Sequence, residues 1–224
     1  MIYKIFLTLH IVSGSLGLLS GTFNMFWKKG DRTHRIVGKV FFYSMISTAI
    51  SALTLSIIKP NHFLFIIGIF TFYLVVTGTR YLKLKRLLIN QKPSPLDWTL
   101  VYAMLTFGLV FIAYGGYQIS IKSNAGVILC IFGIISLLLV RQDFKIYKGN
   151  TKDSNYWLLQ HITRMVAAYI AATTAFLVVN NNVLPGVIAW LLPTVIGTPL
   201  IRVWVKKHRI ELKTNSEIEP EPVR

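Results

Sequence analysis

Apolar positions in this chain come in long blocks, separated by short stretches where lysine, arginine, glycine and proline collect. A run of about 20 apolar residues matches the roughly 30 Å of hydrocarbon in a bilayer at helical rise. Seven blocks of this kind recur: Tyr3–Phe26, Ile36–Ile58, Phe63–Leu82, Trp98–Ser120, Ala125–Val140, Trp157–Val179 and Val183–Val205. The fifth is short and needs its flanks to complete a crossing. The pattern predicts an all-α integral membrane bundle of seven transmembrane helices over residues 1–213. The first block is longer than a signal-peptide core and has a single lysine, Lys4, before it, so it reads as a retained span. The stretch Thr214–Arg224 is acidic, contains proline and lacks periodicity, which predicts a disordered tail.

Polar residues inside the blocks fall in stripes. In the first span His10, Gly14, Gly17, Gly21 and Asn24 recur at steps of three and four, which places them on one helix face. Small residues there let a neighbouring helix approach closely, and the polar ends can hydrogen-bond across the contact. In the sixth span His161 and Arg164 share a face with Ala168, Ala171 and Ala175. The seventh holds Pro193 and Pro199, so the carbonyls of Ala189 and Val195 lose their usual helical partners. A break at membrane depth is tolerated only where protein, water or a ligand serves the freed groups. Thr194 and Thr198 are placed to do so, which gives a kinked helix filled by its own threonines; the alternative is a break lined by a ligand. The run from Asp31 to Gly38 opens the second helix, with Thr33 expected as its cap, Arg35 facing head groups and Gly38 at a helix contact.

Two short similarities suggest an internal repeat. Tyr43-Ser-Met45 parallels Tyr102-Ala-Met104, and the segment from Gly68 to Val75 parallels that from Gly133 to Val140. With the last two spans, this suggests three hairpins after one leading helix.

Composition supports the membrane reading. Of the 224 residues 54% are hydrophobic and 14% charged, against about 25% charged in a typical soluble domain. The net charge of +16 suggests at first a nucleic-acid partner. Its placement argues for lipid instead, because the basic residues lie in short loops between apolar runs. Lys28 to Lys39, Arg80 to Lys92, Arg141 to Lys152 and Arg202 onward hold 20 of the 24; Lys4, Lys59 and Lys122 lie at the other ends and Arg164 inside a span. The positive-inside rule then predicts an outside N-terminus and a cytoplasmic C-terminus in a bacterial inner membrane. Anionic head groups on the cytoplasmic side are the expected partners, and nucleic acid is not. The single cysteine, Cys130, permits neither an internal disulfide nor a cysteine-rich metal site.

Recognisable chemistry is sparse. No carboxylate lies mid-span; Asp31, Asp97 and Asp143 all fall at the basic ends, so a carboxylate relay has nothing to work with. The seventh span has no lysine for a Schiff base, and no nucleophile elbow or HExxH motif occurs. No catalytic residue, metal site or confident cofactor follows, and an enzyme is not expected. The candidate ligand-binding residues are His10, His34, Arg35, Arg80, Arg141, His161, Arg164, Pro193, Thr194 and Thr198. Arg164 requires a partner at its depth: Asp143 or Asp97 in an ion pair, or else an anion held with His161, Arg80 and Arg141. A redox module with haem or quinone is the rival class. His10 and His161 lie near opposite ends of their spans, something like 20 Å apart at helical rise, so they cannot ligate one haem.

The His10 span, His34-Arg35 with Gly38, and Gly78-Thr-Arg80 together resemble bacterial membrane proteins of the domain-of-unknown-function 2306 family. Uncharacterised Bacteroidetes-type membrane proteins are similar through His161-Ile-Thr-Arg164-Met and the segment Leu192 to Pro199. The former family usually carries a further His-Arg segment after its third or fourth span, where this chain has Lys83 to Lys92. The resemblance implies a multi-pass membrane location and brings no activity. The expectation for function is a small-molecule or anionic-lipid binding protein, a transporter or sensor, or a purely structural membrane protein. Its site is expected on the cytoplasmic half, between His161/Arg164 and the broken seventh helix.

Overall fold

The computed structural model describes residues 1–123 and 125–210, and the expected tail lies outside them. Among the described residues the chain forms seven helices and no strands: α1 (Ile2–Phe26), α2 (Arg32–Ile58), α3 (His62–Tyr81), α4 (Pro95–Ser120), α5 (Ala125–Tyr147), α6 (Tyr156–Asn180) and α7 (Gly186–His208). All seven are long and apolar enough to cross a membrane, so the chain is a multi-pass membrane protein.

Capping chemistry sets several boundaries that hydropathy alone misplaces. α2 starts before its apolar block because the Asp31 carboxylate accepts the His34 backbone N–H at 2.7 Å. Asp31 therefore takes the capping role expected of Thr33; its side chain reaches the third amide of the helix, an orphan donor in the first turn. α4 starts at Pro95 behind a reciprocal Ser94–Asp97 capping box. α5 runs on past Val140 to Tyr147, which supplies the flank that its short apolar block needed. α7 continues through Pro193 and Pro199 as one helix rather than as a break, because losing isolated N–H donors bends a helix more readily than it ends one.

α3 sits at the centre. It touches α2, α4, α5 and α6, while α1 leans on α2 and α7 on α6. Its middle is closed off from every side, with Leu74 and Val75 fully buried. Lipid is as apolar as leucine, so close backbone approach and polar bonds, rather than burial alone, hold such helices together. The α1 stripe is one example. Gly14 faces Thr48 and Gly17 faces Met45 on α2, while Gly21 lies under the Tyr169 ring of α6. Asn24 completes it by donating to the His34 carbonyl at 3.2 Å.

The α4–α5 hairpin is closer still. A Cβ at Gly126 would stand 2.6 Å from the Gly115 carbonyl oxygen, and one at Gly133 2.9 Å from that of Gly108. The repeated segments take matching environments. Met45 and Met104 are both buried while Tyr43 and Tyr102 are exposed. Gly68 packs on Leu53 and Ala49 of α2, as Gly133 packs on Ile112 and Gly108 of α4.

Candidate functional site

The ends of α2–α6 that carry most of the basic residues hold the chain's charged groups in two arrangements, one sealed and one open. The sealed one is centred on Arg164, whose side chain has no solvent exposure. One guanidinium nitrogen donates to Asp143 of α5, and the other terminal nitrogen donates to Thr77 Oγ1 at 2.9 Å. Asp143 is equally buried and accepts from two phenols of α3, Tyr73 and Tyr81, the latter at 2.5 Å. The same two rings flank the cation, their centroids 5.2 and 5.3 Å from the guanidinium carbon. Desolvating two charges costs several kcal/mol for each ion, which only this density of bonds offsets. Tyr73, Thr77 and Tyr81 sit four residues apart, so consecutive turns of one α3 face supply all three. Gly78 lets α6 come this close: a Cβ there would stand 3.0 Å from Arg164 Cβ.

Arg80 has a carboxylate of its own. It holds Asp97 through two bonds of 2.8 Å and Ser94 through a third of 3.0 Å, clamping the α4 start to the α3 end. His161 Nδ1 lies 2.9 Å from the Gly78 carbonyl oxygen. A carbonyl can only accept, so Nδ1 carries the proton in this bond. The anion site expected from Arg164, Arg80, His161 and Arg141 is thus not assembled: two of its cations already hold aspartates, and Arg141 lies exposed. Of the two partners considered for Arg164, the structure selects Asp143.

The other candidates are dispersed. His10 Nδ1 meets the Thr48 carbonyl at 3.1 Å and Ser51 Oγ at 3.2 Å, which binds α1 to α2. His34 is half-buried, while Arg35 is exposed and its side chain bonds back to the Asp31 carbonyl at 3.3 Å. Gly197 of α7 rests on Ile170 of α6. Helices α6 and α7 run antiparallel, so Pro193 lies about ten residues of helix from Arg164, or ~15 Å along the axis. Thr194 is exposed and Thr198 half-buried. Pro193 and Thr194 therefore stand away from His161 and Arg164, because antiparallel register places them at a different depth.

The open arrangement lies nearer the start of α6. A cavity of about 520 Å³ separates the end of α5 from the start of α6 and is lined by Gln142, Lys145, Asn150, Lys152, Asp153 and Gln160 among others. Its loop is held in place by the end of α7. Asn155 Nδ2 donates to the His208 carbonyl, its Oδ1 accepts from the Ile210 N–H at 3.1 Å, and Arg209 pairs with Asp153 at 3.2 Å. Gln160 is 5% exposed, and its Oε1 has no partner among the described residues. Sequence reasoning passed over this place because loop lysines and amides have no spacing that distinguishes them from a solvated face. The α3 residues did leave a signal, the four-residue recurrence of Tyr73, Thr77 and Tyr81 on one helix face.

The chain matches no family model, no curated protein and no solved structure.

Proposed function

We propose that the protein binds a phosphate-bearing anion, as a lipid headgroup or a soluble molecule, in the cavity between α5 and α6, at the cytoplasmic face of a bacterial inner membrane. The observation that carries this reading is the cavity itself, a recess of ligand size that presents Lys145 and Lys152. Orientation rests on the basic loops, which all gather at this end and, under the positive-inside rule, belong in the cytoplasm. Kinship with the membrane family that the His10, His34-Arg35 and Gly38 pattern resembles belongs to the same proposal. The Arg164 cluster supports the site: it ties α5 to α6 beside the cavity, through Asp143, the neighbour of Gln142 in the lining.

The test is native mass spectrometry of the protein released from mild detergent, with and without Lys145→Gln and Lys152→Gln together. A co-purifying anionic phospholipid, or inorganic phosphate retained on titration, should be lost in the double variant. Unchanged retention in that variant sinks the reading.

A further inference from the structure

The chain carries an anion of its own for this cavity, an inference that rests on the reading above and names a regulator of the same site. Its carboxylic side chains number eight, and four of them are aspartates. Asp31 caps α2, while Asp97, Asp143 and Asp153 are held by Arg80, Arg164 and Arg209. No carboxylate among the described residues pairs with Lys145 or Lys152. All the glutamates, Glu211, Glu217, Glu219 and Glu221, follow Ile210 in the sequence.

The backbone delivers that acidic run to the cavity. Ile210 is pinned at the cavity's edge through both of its peptide groups. Its N–H donates to Asn155 Oδ1 at 3.1 Å, and its carbonyl accepts the Ser154 N–H at 2.8 Å and the Ser154 hydroxyl at 3.0 Å. Arg209 beside it pairs with Asp153, a residue of the lining. Glu211 is the next residue, and the stretch from there to Glu217 spans up to about 25 Å when extended, ample for a recess of about 520 Å³. Tethering on so short a leash presents the glutamates at a local concentration on the order of millimolar. Carboxylate–ammonium pairs too weak to hold separate molecules together are enough at that concentration.

We infer that the acidic segment Glu211–Glu221 docks on Lys145 and Lys152 and holds the cavity against its anionic ligand, as an autoinhibitory competitor within the chain. A phosphate-bearing ligand enters by displacing it. With the cavity filled by this segment about 70–90% of the time, the apparent affinity for phosphate falls about three- to tenfold.

The test compares the full chain with the same chain carrying Glu217→Gln, Glu219→Gln and Glu221→Gln. Calorimetry with inorganic phosphate in detergent should show about three- to tenfold tighter binding in the triple variant. For a lipid ligand, native mass spectrometry from nanodiscs containing phosphatidic acid should show greater retention in that variant. Docking itself is read without a ligand. A carbodiimide, which joins a carboxylate to an amine in contact with it, should couple Lys145 or Lys152 to the glutamates within one molecule, and added phosphate should suppress the product. Equal phosphate affinity and equal lipid retention in the two proteins overturn the competitor and leave the anion reading standing. Coupling confined to other lysines, such as Lys206 and Lys207, overturns it as well. Failure of both probes to bind either protein removes the anion reading, and the competition falls with it.

Discussion

Asp143 and Arg164 join two helices, α5 and α6, that otherwise have almost no backbone contact with each other. The ion pair, with the Tyr73 and Tyr81 phenols donating into it, anchors the α4–α5 hairpin to the rest of the bundle at this depth. The neighbouring anchor, Arg80 on Asp97, is partly open to solvent at its arginine.

Breaking the inner anchor should therefore cost more than breaking the outer one. Asp143→Asn leaves Arg164 buried and uncompensated, a loss of about 3–5 kcal/mol. Arg80→Lys keeps its charge beside Asp97 and forfeits the bidentate fork, with a smaller loss of about 1–2 kcal/mol. Exchanging Asp143 and Arg164 should recover only part of the first loss, because the tyrosine hydroxyls and Thr77 are placed for the native polarity. Thermal unfolding in detergent ranks the variants, and full rescue by the exchange would falsify the role given to the tyrosines.

Two adjacent glycines of α4 offer a matched pair. A Cβ at Gly115 would lie 2.7 Å from Cys130 Sγ and 2.9 Å from the Gly126 carbonyl oxygen, whereas one at Gly116 meets nothing within 4 Å. Gly115→Ala should lower stability by about 1–3 kcal/mol through forced separation of the hairpin. Gly116→Ala should be neutral or slightly stabilising, since alanine is the better helix former. Melting temperatures that shift equally in the two variants would contradict the geometry.

The α2 cap carries a pH dependence. Asp31 is held below the usual carboxylate range, chiefly by the His34 N–H it accepts and further by the Trp27 indole. Its folded value is thus lower than its unfolded value of about 3.9. The contribution is complete above that pH and fades as the pH falls through the folded value. Hydrogen exchange at the His34 amide should accelerate on acidification relative to Asp31→Asn, which caps without titrating. Identical pH profiles for the two proteins would count against the cap.

Topology is the fourth expectation. A reporter fused after Lys206 should read as cytoplasmic, and one placed within Asn180–Asn182 as periplasmic. The reverse result would invert the orientation on which the cytoplasmic site depends.

The sequence by itself determined the number of spans, the close-packed face of α1 and the end of the molecule where charge collects. These are properties of single segments. Hydrocarbon thickness demands a local apolar run, and helical periodicity places His10, Gly14, Gly17, Gly21 and Asn24 on one side before any neighbour is known. Tertiary structure alone decided which aspartate meets Arg164. Asp97 and Asp143 lie at similar depth, and only the position of α3 between the hairpins gives the first to Arg80 and the second to Arg164. It also decided that Pro193 stands away from that pair, since register between antiparallel helices is a relation and not a motif. The cavity was illegible for the same reason. A void belongs to no segment, and Lys145, Lys152 and Gln160 become a wall only when α5, α6 and the end of α7 are brought together.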